Sequence, residues 1–586
     1  MTLISKEDFI SNTHLDKFKI EFMADFLMQL FQLKKVNEIY DNALPNAGID
    51  FLNAVLTQMK IKCDVTDTER QNIPKAGAFI TVSNHPFGLL DGIFLIKIIG
   101  EVRPDYKVVA NFLLKKIAPL EDYFISVNPF EVPGQDTANF AGLKAALQHV
   151  AAGHPLGLFP AGEVSTYQPD TKTISDRVWT LPAIKLLQKA HAPVLPVYFQ
   201  GTNSILFHLL GIIHPVLRTA TIPAEFVKKQ NQTIHLRIGK PILREELTEF
   251  ETTEKLGRYL RAKVYALGSA LEVKKFFKPH LRALKKPQKI IDPIPVATLE
   301  EEISRLHEGH LVHSKGNFEV YIARATQIPN ILNEIGRLRE ITFREVGEGS
   351  NRKVDLDEFD LYYEHLFVWD KQARKIIGAY RLGKGDQIIE KYDKNGFYIY
   401  SLFHLSDELK PILRQAVELG RSFVVKEYQQ RALPLFLLWQ GILHFLVHRK
   451  QYKYLIGPVS ISNKYSPLSK QLLITFIQKH YYDHELSKLV KPRNEYIVKI
   501  KNTDPEILLE KSESDINKID KFISEIEPEH FRVPVLLKKY IMQNARIIGF
   551  NIDPKFNDAL DGLMILNLED APKSTIDNLS KEMEIR

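Results

Sequence analysis

The sequence predicts an α/β protein of two domains in series, and three observations carry the prediction. Between residues 72 and 201, short apolar runs alternate with helical stretches, the rhythm of parallel strands crossed over by helices. From residue 318 a second strand–helix series begins, with a hairpin pair at its centre. Between the two, Asp292-Pro293-Ile294-Pro295 favours neither helix nor strand. At 586 residues the chain is also too long for a single core.

In chain order, residues 1–45 read as a helical leader. Phe18, Ile20, Phe22, Phe26, Leu27, Leu30 and Phe31 give it a broad apolar face suited to packing. A first domain spans 46–272. Residues 78–83 are an apolar run closing in a turn, 139–152 and 181–190 are helical, and 192–199 and 234–239 are strands. Residues 244–270 read as one closing helix. Residues 273–316 form a basic linker, and 317–586 the second domain. There the order is a strand at 318–324, a helix at 331–342, an acidic loop, and a hairpin of 366–370 with 375–382. A strand at 416–424, a helix at 434–449 and a strand at 454–460 complete it.

Hydrophobic content of 45% and charged content of 25% are those of a globular chain. The single cysteine, Cys63, excludes an internal disulfide framework and fits a reducing compartment. The first residues, Met1-Thr2-Leu3-Ile4-Ser5-Lys6-Glu7-Asp8, carry early acids and lack the apolar core of a signal peptide. No uninterrupted apolar stretch reaches the ~18 residues of a membrane span. The nearest, 205–217, is short and carries His208 and His214. A cytoplasmic protein, peripheral to the inner face of the membrane, is the expectation. The net charge of +7 is unevenly placed: residues 274–289 mix lysines with Phe276 and Phe277 and contain no acid. That segment would suit an anionic lipid surface, an acidic carrier protein, or a solvated linker equally. Nucleic acid is excluded as a partner because no stacking or groove-reading motif accompanies the charge. No His/Cys cluster with ligand spacing suggests a metal.

The chemistry concentrates in Asn84-His85-Pro86-Phe87-Gly88-Leu89-Leu90-Asp91, just after the strand at 78–83. A His at a strand end, followed one turn later by an Asp, supplies a base and the group that fixes its tautomer. Such a base can activate a hydroxyl toward an already activated thioester, with no Ser or Cys nucleophile. The alternative is a His that merely caps a helix beside a solvated Asp. Two further blocks accompany it: Gly157-Leu158-Phe159-Pro160-Ala161-Gly162-Glu163-Val164-Ser165, and a Val194-Leu195-Pro196-Val197 strand. Together, over residues 45–270, these resemble the lysophospholipid/glycerol-phosphate acyltransferase family. The resemblance implies His85 and Asp91 as the catalytic pair. It places Asn84, Gly88, Phe159, Pro160, Gly162, Glu163 and Ser165 around the acceptor. The usual His-x4-Asp spacing is one residue longer here, and the arginines expected against an acceptor phosphate are missing. Bidentate groups suited to that anion are thereby lost. The variant is similar to the branch that acylates lyso-aminolipids.

The second domain has the element order of a GNAT N-acyltransferase. Its residues resemble acyl-homoserine-lactone synthases and ornithine N-acyltransferases, in which an acyl-carrier-protein thioester acylates an α-amine. The matching residues are Arg339 and Phe343, Asp357 and Asp360, Arg381, and Glu418 with Arg421. Glu418 and Arg421 would form a bidentate pair positioning the amino acid or a water for proton removal. Asp357 and Asp360 would hold its cationic groups, and Arg339 and Arg344 its carboxylate or the pantetheine phosphate. A fold-stabilising ion pair and a solvated acidic loop are the plainer alternatives. His365 and His404 read as satisfied surface histidines.

The joint resemblance is to a bifunctional ornithine lipid synthase. It implies N-acylation of ornithine by a 3-hydroxyacyl thioester of acyl carrier protein or coenzyme A, then O-acylation of the lyso-lipid's 3-hydroxyl. No other cofactor is implied. The rivals are the same chemistry on glycine or another amino acid, a single-activity lysophospholipid acyltransferase with a degenerate carrier-docking second half, and a hemolysin-like membrane-damaging protein.

Overall fold

A computed structural model describes residues 28–572, apart from 30, 112–113, 115–116, 128–135, 169, 214, 270–286, 498–499, 501, 511 and 528–530. Most of the helical leader and most of the basic segment, including Phe276 and Phe277, therefore lie outside the described residues. The chain divides into two compact units. One comprises Met1–Lys274, Ile500–Glu513 and Ser524–His530; the other comprises Lys275–Lys499, Ser514–Ile523 and Phe531–Arg586.

The first unit is built on a sheet of β1 (Lys62–Asp64), β2 (Ile80–Ser83), β3 (Lys107–Asn111), β4 (Phe124–Val127), β5 (Leu156–Leu158), β8 (Val194–Phe199) and β9 (Thr233–Ile238). Its order is β1-β9-β8-β2-β5-β3-β4. Every neighbouring pair is parallel except β8 with β9. A small hairpin of β6 (Thr166–Gln168) and β7 (Thr173–Ser175) stands outside it. β2 is buried at all four positions, and the one hydroxyl this places mid-strand, on Thr81, is satisfied by Tyr106 Oη at 2.6 Å. Pairing of Ile80 with both Leu156 and Val194 puts β5 and β8 on either side of β2. The carboxyl ends of the three strands therefore meet at one edge, the place where open α/β sheets present their ligands.

The helices of this unit include α1 (Leu89–Gly100), α2 (Asp136–Ala151), α3 (Leu181–Ala190), α4 (Ile205–Ile213) and α5 (Pro215–Ala220). The helix expected over 244–270 is two: α6 (Arg244–Thr248) and α7 (Thr253–Ser269). Phe250 interrupts it by packing inward against the Tyr259 ring, centroids 4.5 Å apart. Thr252 Oγ1 then accepts the Lys255 amide and starts a new helix.

The second unit centres on a sheet ordered β10-β11-β12-β13-β15-β16-β19-β18. Its strands are β10 (Leu311–Lys315), β11 (Phe318–Arg324), β12 (Glu364–Asp370), β13 (Lys375–Lys384), β15 (Ala416–Val424), β16 (Tyr454–Ile461), β18 (Arg546–Asp553) and β19 (Ala559–Asn567). β14 (Phe403–Leu405) pairs separately with β17 (Val490–Pro492). Within the stretch read as linker, Val296–Ser304 forms a helix, α8, and β10 an edge strand. The α8 residue Glu302 accepts the amides of Asn330 and Ile331 and so caps α9 (Pro329–Glu345). α10 (Ala432–Val447) follows β15.

β15 and β16 are parallel, but paired over three residues only, ending at Glu418 with Ile456. Pro458 lies just beyond and has no N–H to extend a ladder. Beyond this point residues of both strands line a cavity of ≈ 1160 Å³.

Candidate active sites

In the first unit β2 ends at Ser83 and the chain turns into α1. Gly88 takes φ 87° and ψ −115°, a conformation open to glycine alone, and accommodates the longer His-to-Asp spacing. Asp91 thereby falls in the first turn of α1, where its Oδ2 accepts the Phe87 and Gly88 amides at 2.9 Å each. His85 Nδ1 stands 2.9 Å from the same oxygen. Asp91 is fully buried, whereas the His85 side chain keeps 18% of its surface. Burial presses the Asp91 carboxyl upward, opposed chiefly by its bond to His85. The His85 ring stacks on Phe159, with centroids 4.1 Å apart and planes inclined by 26°. With Nδ1 held by Asp91, the ring has its other nitrogen, Nε2, for a substrate hydroxyl.

The remaining residues of the first site divide into those that build the turn and those that edge it. Asn84 is buried, and both ends of its amide are spent on the Phe199 backbone, at 2.9 and 2.8 Å. It ties β2 to β8 and is not available to an acceptor. The Pro160 carbonyl accepts the amide and hydroxyl of Thr180, and Gly162 turns with φ 72°. The Ser165 amide donates to the His85 carbonyl at 2.8 Å, and Ser165 Oγ donates to Asp176 Oδ1 at 2.5 Å. Asp176 is a residue that sequence reasoning missed. Buried, it also accepts the His85 amide at 3.2 Å and Trp179 Nε1 at 3.2 Å. Glu163 is flanked by Arg177 at 3.1 Å and Arg218 at 2.8 Å. Two guanidiniums thus stand beside the block from which the expected arginine is missing. They come from outside the motif, on the loop before α3 and on α5, so no local pattern announces them.

In the second unit the matched residues do converge, though not as expected. Arg339 is fully buried on α9 and donates to Asp360 Oδ1 at 2.8 Å. Arg381 donates to Asp357 Oδ1 at 2.5 Å and lies 3.3 Å from Asp360. Its guanidinium carbon lies 5.2–5.5 Å from the ring centres of Tyr363, Tyr398 and Phe359. Arg421 closes the chain, reaching Asp357 at 3.2 Å and Asp355 at 3.3 Å. The two aspartates are therefore already neutralised by arginines. Opposing burial, Arg339 and Arg381 hold the Asp360 carboxyl well below the usual range. Arg344 is likewise engaged, by Glu340 at 2.6 Å and the carbonyls of Gln288 and Arg352. His365 is fully buried, correcting its reading as a surface residue. Its Nε2 lies 2.9 Å from the Asp360 carbonyl, and burial with Arg339 lowers its pKa to about 4. His404 is exposed.

The expected Glu418–Arg421 pair does not form. A spacing of three joins side chains on a helix, but successive residues of a strand face opposite ways. The register of β15 against β13 also shifts between Phe423 and Gly420, a bulge in which Arg421 adopts φ 51°. Glu418 points inward, where it accepts the Tyr363 hydroxyl and the amides of Ile399 at 2.8 Å and Tyr398 at 3.1 Å. Burial raises its pKa to about 7. Arg421 lies between the Phe556 and Tyr398 rings, 4.4 and 4.9 Å from their centres, and lines the cavity, as do Phe343 and Tyr398. Four acids that sequence reasoning assigned no role share this lining, Glu345, Glu348, Asp553 and Asp561, beside the cations Arg431, Lys464 and Lys539. Among the described residues no group of His, Cys, Asp and Glu is arranged to hold a metal.

A family model described as an acyltransferase matches residues 11–274, and one described as an acetyltransferase (GNAT) domain matches residues 338–440. A glycine N(alpha)-acyltransferase of Bacteroides thetaiotaomicron is 32% identical over 296 residues, which cover 47% of this chain and 86% of that protein. A lyso-glycine lipid O-acyltransferase of Phocaeicola vulgatus is 26% identical over 258 residues, covering 43% of this chain and 89% of that protein. Among solved structures, the 1-acyl-sn-glycerophosphate acyltransferase of Thermotoga maritima is 18% identical, covering 46% of this chain and 98% of that chain, with a TM-score of 0.26. The chain is an acyltransferase in which an acyltransferase domain is joined to a GNAT domain. It belongs to the family that includes the Bacteroides glycine N(alpha)-acyltransferase.

Proposed function

We propose that the chain makes an aminolipid by two acyl transfers. The GNAT unit transfers a 3-hydroxyacyl group from a thioester, of acyl carrier protein in the first instance, to the α-amine of an amino acid. The first unit then esterifies the 3-hydroxyl of that lyso-lipid. The observation that carries this reading is the His85–Asp91 pair, a hydroxyl-activating base, in one chain with a GNAT domain whose cavity can hold an acyl chain. The similarity of the chain to both a glycine N(alpha)-acyltransferase and a lyso-glycine lipid O-acyltransferase supports it. Joining the sites raises the effective concentration of the intermediate at the second.

For the amino acid we propose ornithine. Its support is the matched series from Arg339 to Arg421, whose order along the chain is that of the ornithine N-acyltransferases. The rival is glycine, supported by what the named relatives act on. A lipid surface is the proposed place of work, at the inner face of the cytoplasmic membrane. Ile205, Leu206 and Leu209 of α4 are 78, 55 and 52% exposed, and residues 205–224 contain no acid. Among the described residues no helix is long and apolar enough to cross a membrane.

Expression in a host that lacks aminolipids, followed by mass spectrometry of total lipid, tests the reading. New lyso- and diacyl lipids whose headgroup mass is ornithine are expected. A glycine headgroup would move the proposal to its rival, and no new aminolipid would overturn it.

A further inference from the structure

With Glu418 turned away from the cavity, the amine needs another base, and the cavity wall carries one. Asp561 is the only charged residue of β19, Ala559–Asn567, and is 3% exposed. An acid inside an otherwise apolar strand is costly unless polar groups receive it. One does: Ser460 Oγ, on the facing strand β16, donates to Asp561 Oδ1 at 2.6 Å. Ser460 lies past the point where β15 and β16 stop pairing, so Asp561 addresses the space opened between them.

The other charged groups facing it come from three elements. Asp553 at the end of β18 and Glu348 after α9 are like charges, and Arg421 on β15 is the opposite one. Tyr398 Oη connects Arg421, at 3.5 Å, with Asp553, at 3.3 Å. Burial first, then the two neighbouring carboxyls, hold the Asp561 carboxyl up to about 8, while Ser460 and Arg421 pull it down. A carboxylate tuned to that range is matched to proton transfer near neutral pH.

We propose that Asp561 is the base of the N-acyl transfer, taking a proton from the substrate ammonium at the parted ends of β15 and β16. The inference rests on the N-acylation reading above. Asp561 removes one proton from the ammonium, and the amine nitrogen attacks the thioester carbonyl carbon. The C–N bond forms, the C–S bond breaks, and its electron pair leaves on sulfur. Sulfur takes the second N–H proton, and Asp561 returns its own to water.

The test is steady-state N-acylation by the purified full chain, followed as thiol release, with Asp561→Asn and Asp561→Glu. The wild-type rate should rise with pH through about 8, the acid limb of an unprotonated base. Asp561→Asn should lower kcat by about 100- to 10,000-fold and abolish that limb. Asp561→Glu should recover part of the rate with the limb displaced. A folded Asn variant with kcat within about tenfold of wild type and the same limb would overturn the assignment. If the Asn variant does not fold, an unmoved limb in the Glu variant overturns it instead. Wild type that releases thiol with no amino acid would remove the N-acylation reading itself, and this inference with it.

Discussion

His85 and Glu418 are both acid–base side chains singled out by sequence, and the structure gives them opposite environments. His85 keeps an exposed edge and a held Nδ1. His85→Ala should therefore lower O-acylation by about 100- to 10,000-fold while N-acylation continues. The readout is accumulation of the monoacyl aminolipid. Glu418 is enclosed, and its effect should be on stability. Its carboxyl titrates at about 7 in the folded chain against 4.5 ordinarily. Below pH 4.5 both states are protonated and the shift costs nothing. Between these values the folded state keeps a proton that the unfolded state has lost, so stability falls as pH rises. Above about 7 the full penalty, on the order of 3 kcal/mol, is present. Glu418→Gln has no such titration, so its Tm relative to wild type should improve from pH 5 to pH 8, with N-acylation within about tenfold. A pH-independent Tm difference would contradict this. His85 and Asp91 were legible as a pair because one turn of chain joins them. Asp561 was not, because its partners are distant in sequence, although a single acid in the apolar run 559–566 was a visible signal.

At the scale of elements, the turn between β2 and α1 is where backbone conformation decides chemistry. Gly88 carries φ 87°, and a Cβ there would lie 3.2 Å from Val164 Cγ2. Gly88→Ala should cost about 1–3 kcal/mol and displace Asp91 from His85. A lower melting temperature together with reduced O-acylation and unchanged N-acylation is the expected outcome. Strands and helices with clear apolar periods were legible: 181–190, 318–324 and 416–424 have the observed bounds. The break before α7 was not, since it depends on Phe250 finding the Tyr259 ring. Nor was the β15 bulge, because no composition marks an arginine for φ 51°. Strand alternation, with that bulge added to it, turns Arg421 away from Glu418, so the expected pairing does not form.

For the whole molecule, the first unit is not a contiguous length of chain. Residues 500–513 and 524–530 belong to it. The short helix Pro505–Leu509 buries Ile507, Leu508 and Leu509, Lys255 pairs with Glu510 at 2.8 Å, and Arg237 donates to the Ile526 carbonyl at 3.3 Å. A chain ending at residue 274 should therefore lose several kcal/mol of that unit's stability, since each buried aliphatic side chain contributes about 1.5–3 kcal/mol. Calorimetry of the truncated protein beside the full chain measures this, and an unchanged transition for the first unit would refute it. Two domains were legible from length and from the change of element order near residue 318. The return of the chain to its first unit was not, because residues 500–530 carry no composition that distinguishes one core from the other.

That return sets a timetable for synthesis. About 225 residues separate Lys274 from Ile500, and translation at roughly 5–20 residues per second takes about 10–50 s to cross them. Throughout that interval the nascent first unit stands on the ribosome with the seat for Ile507, Leu508 and Leu509 open to solvent. A holding chaperone has that window in which to act, and a ribosome that stalls between residues 274 and 500 leaves a product that cannot complete its first half.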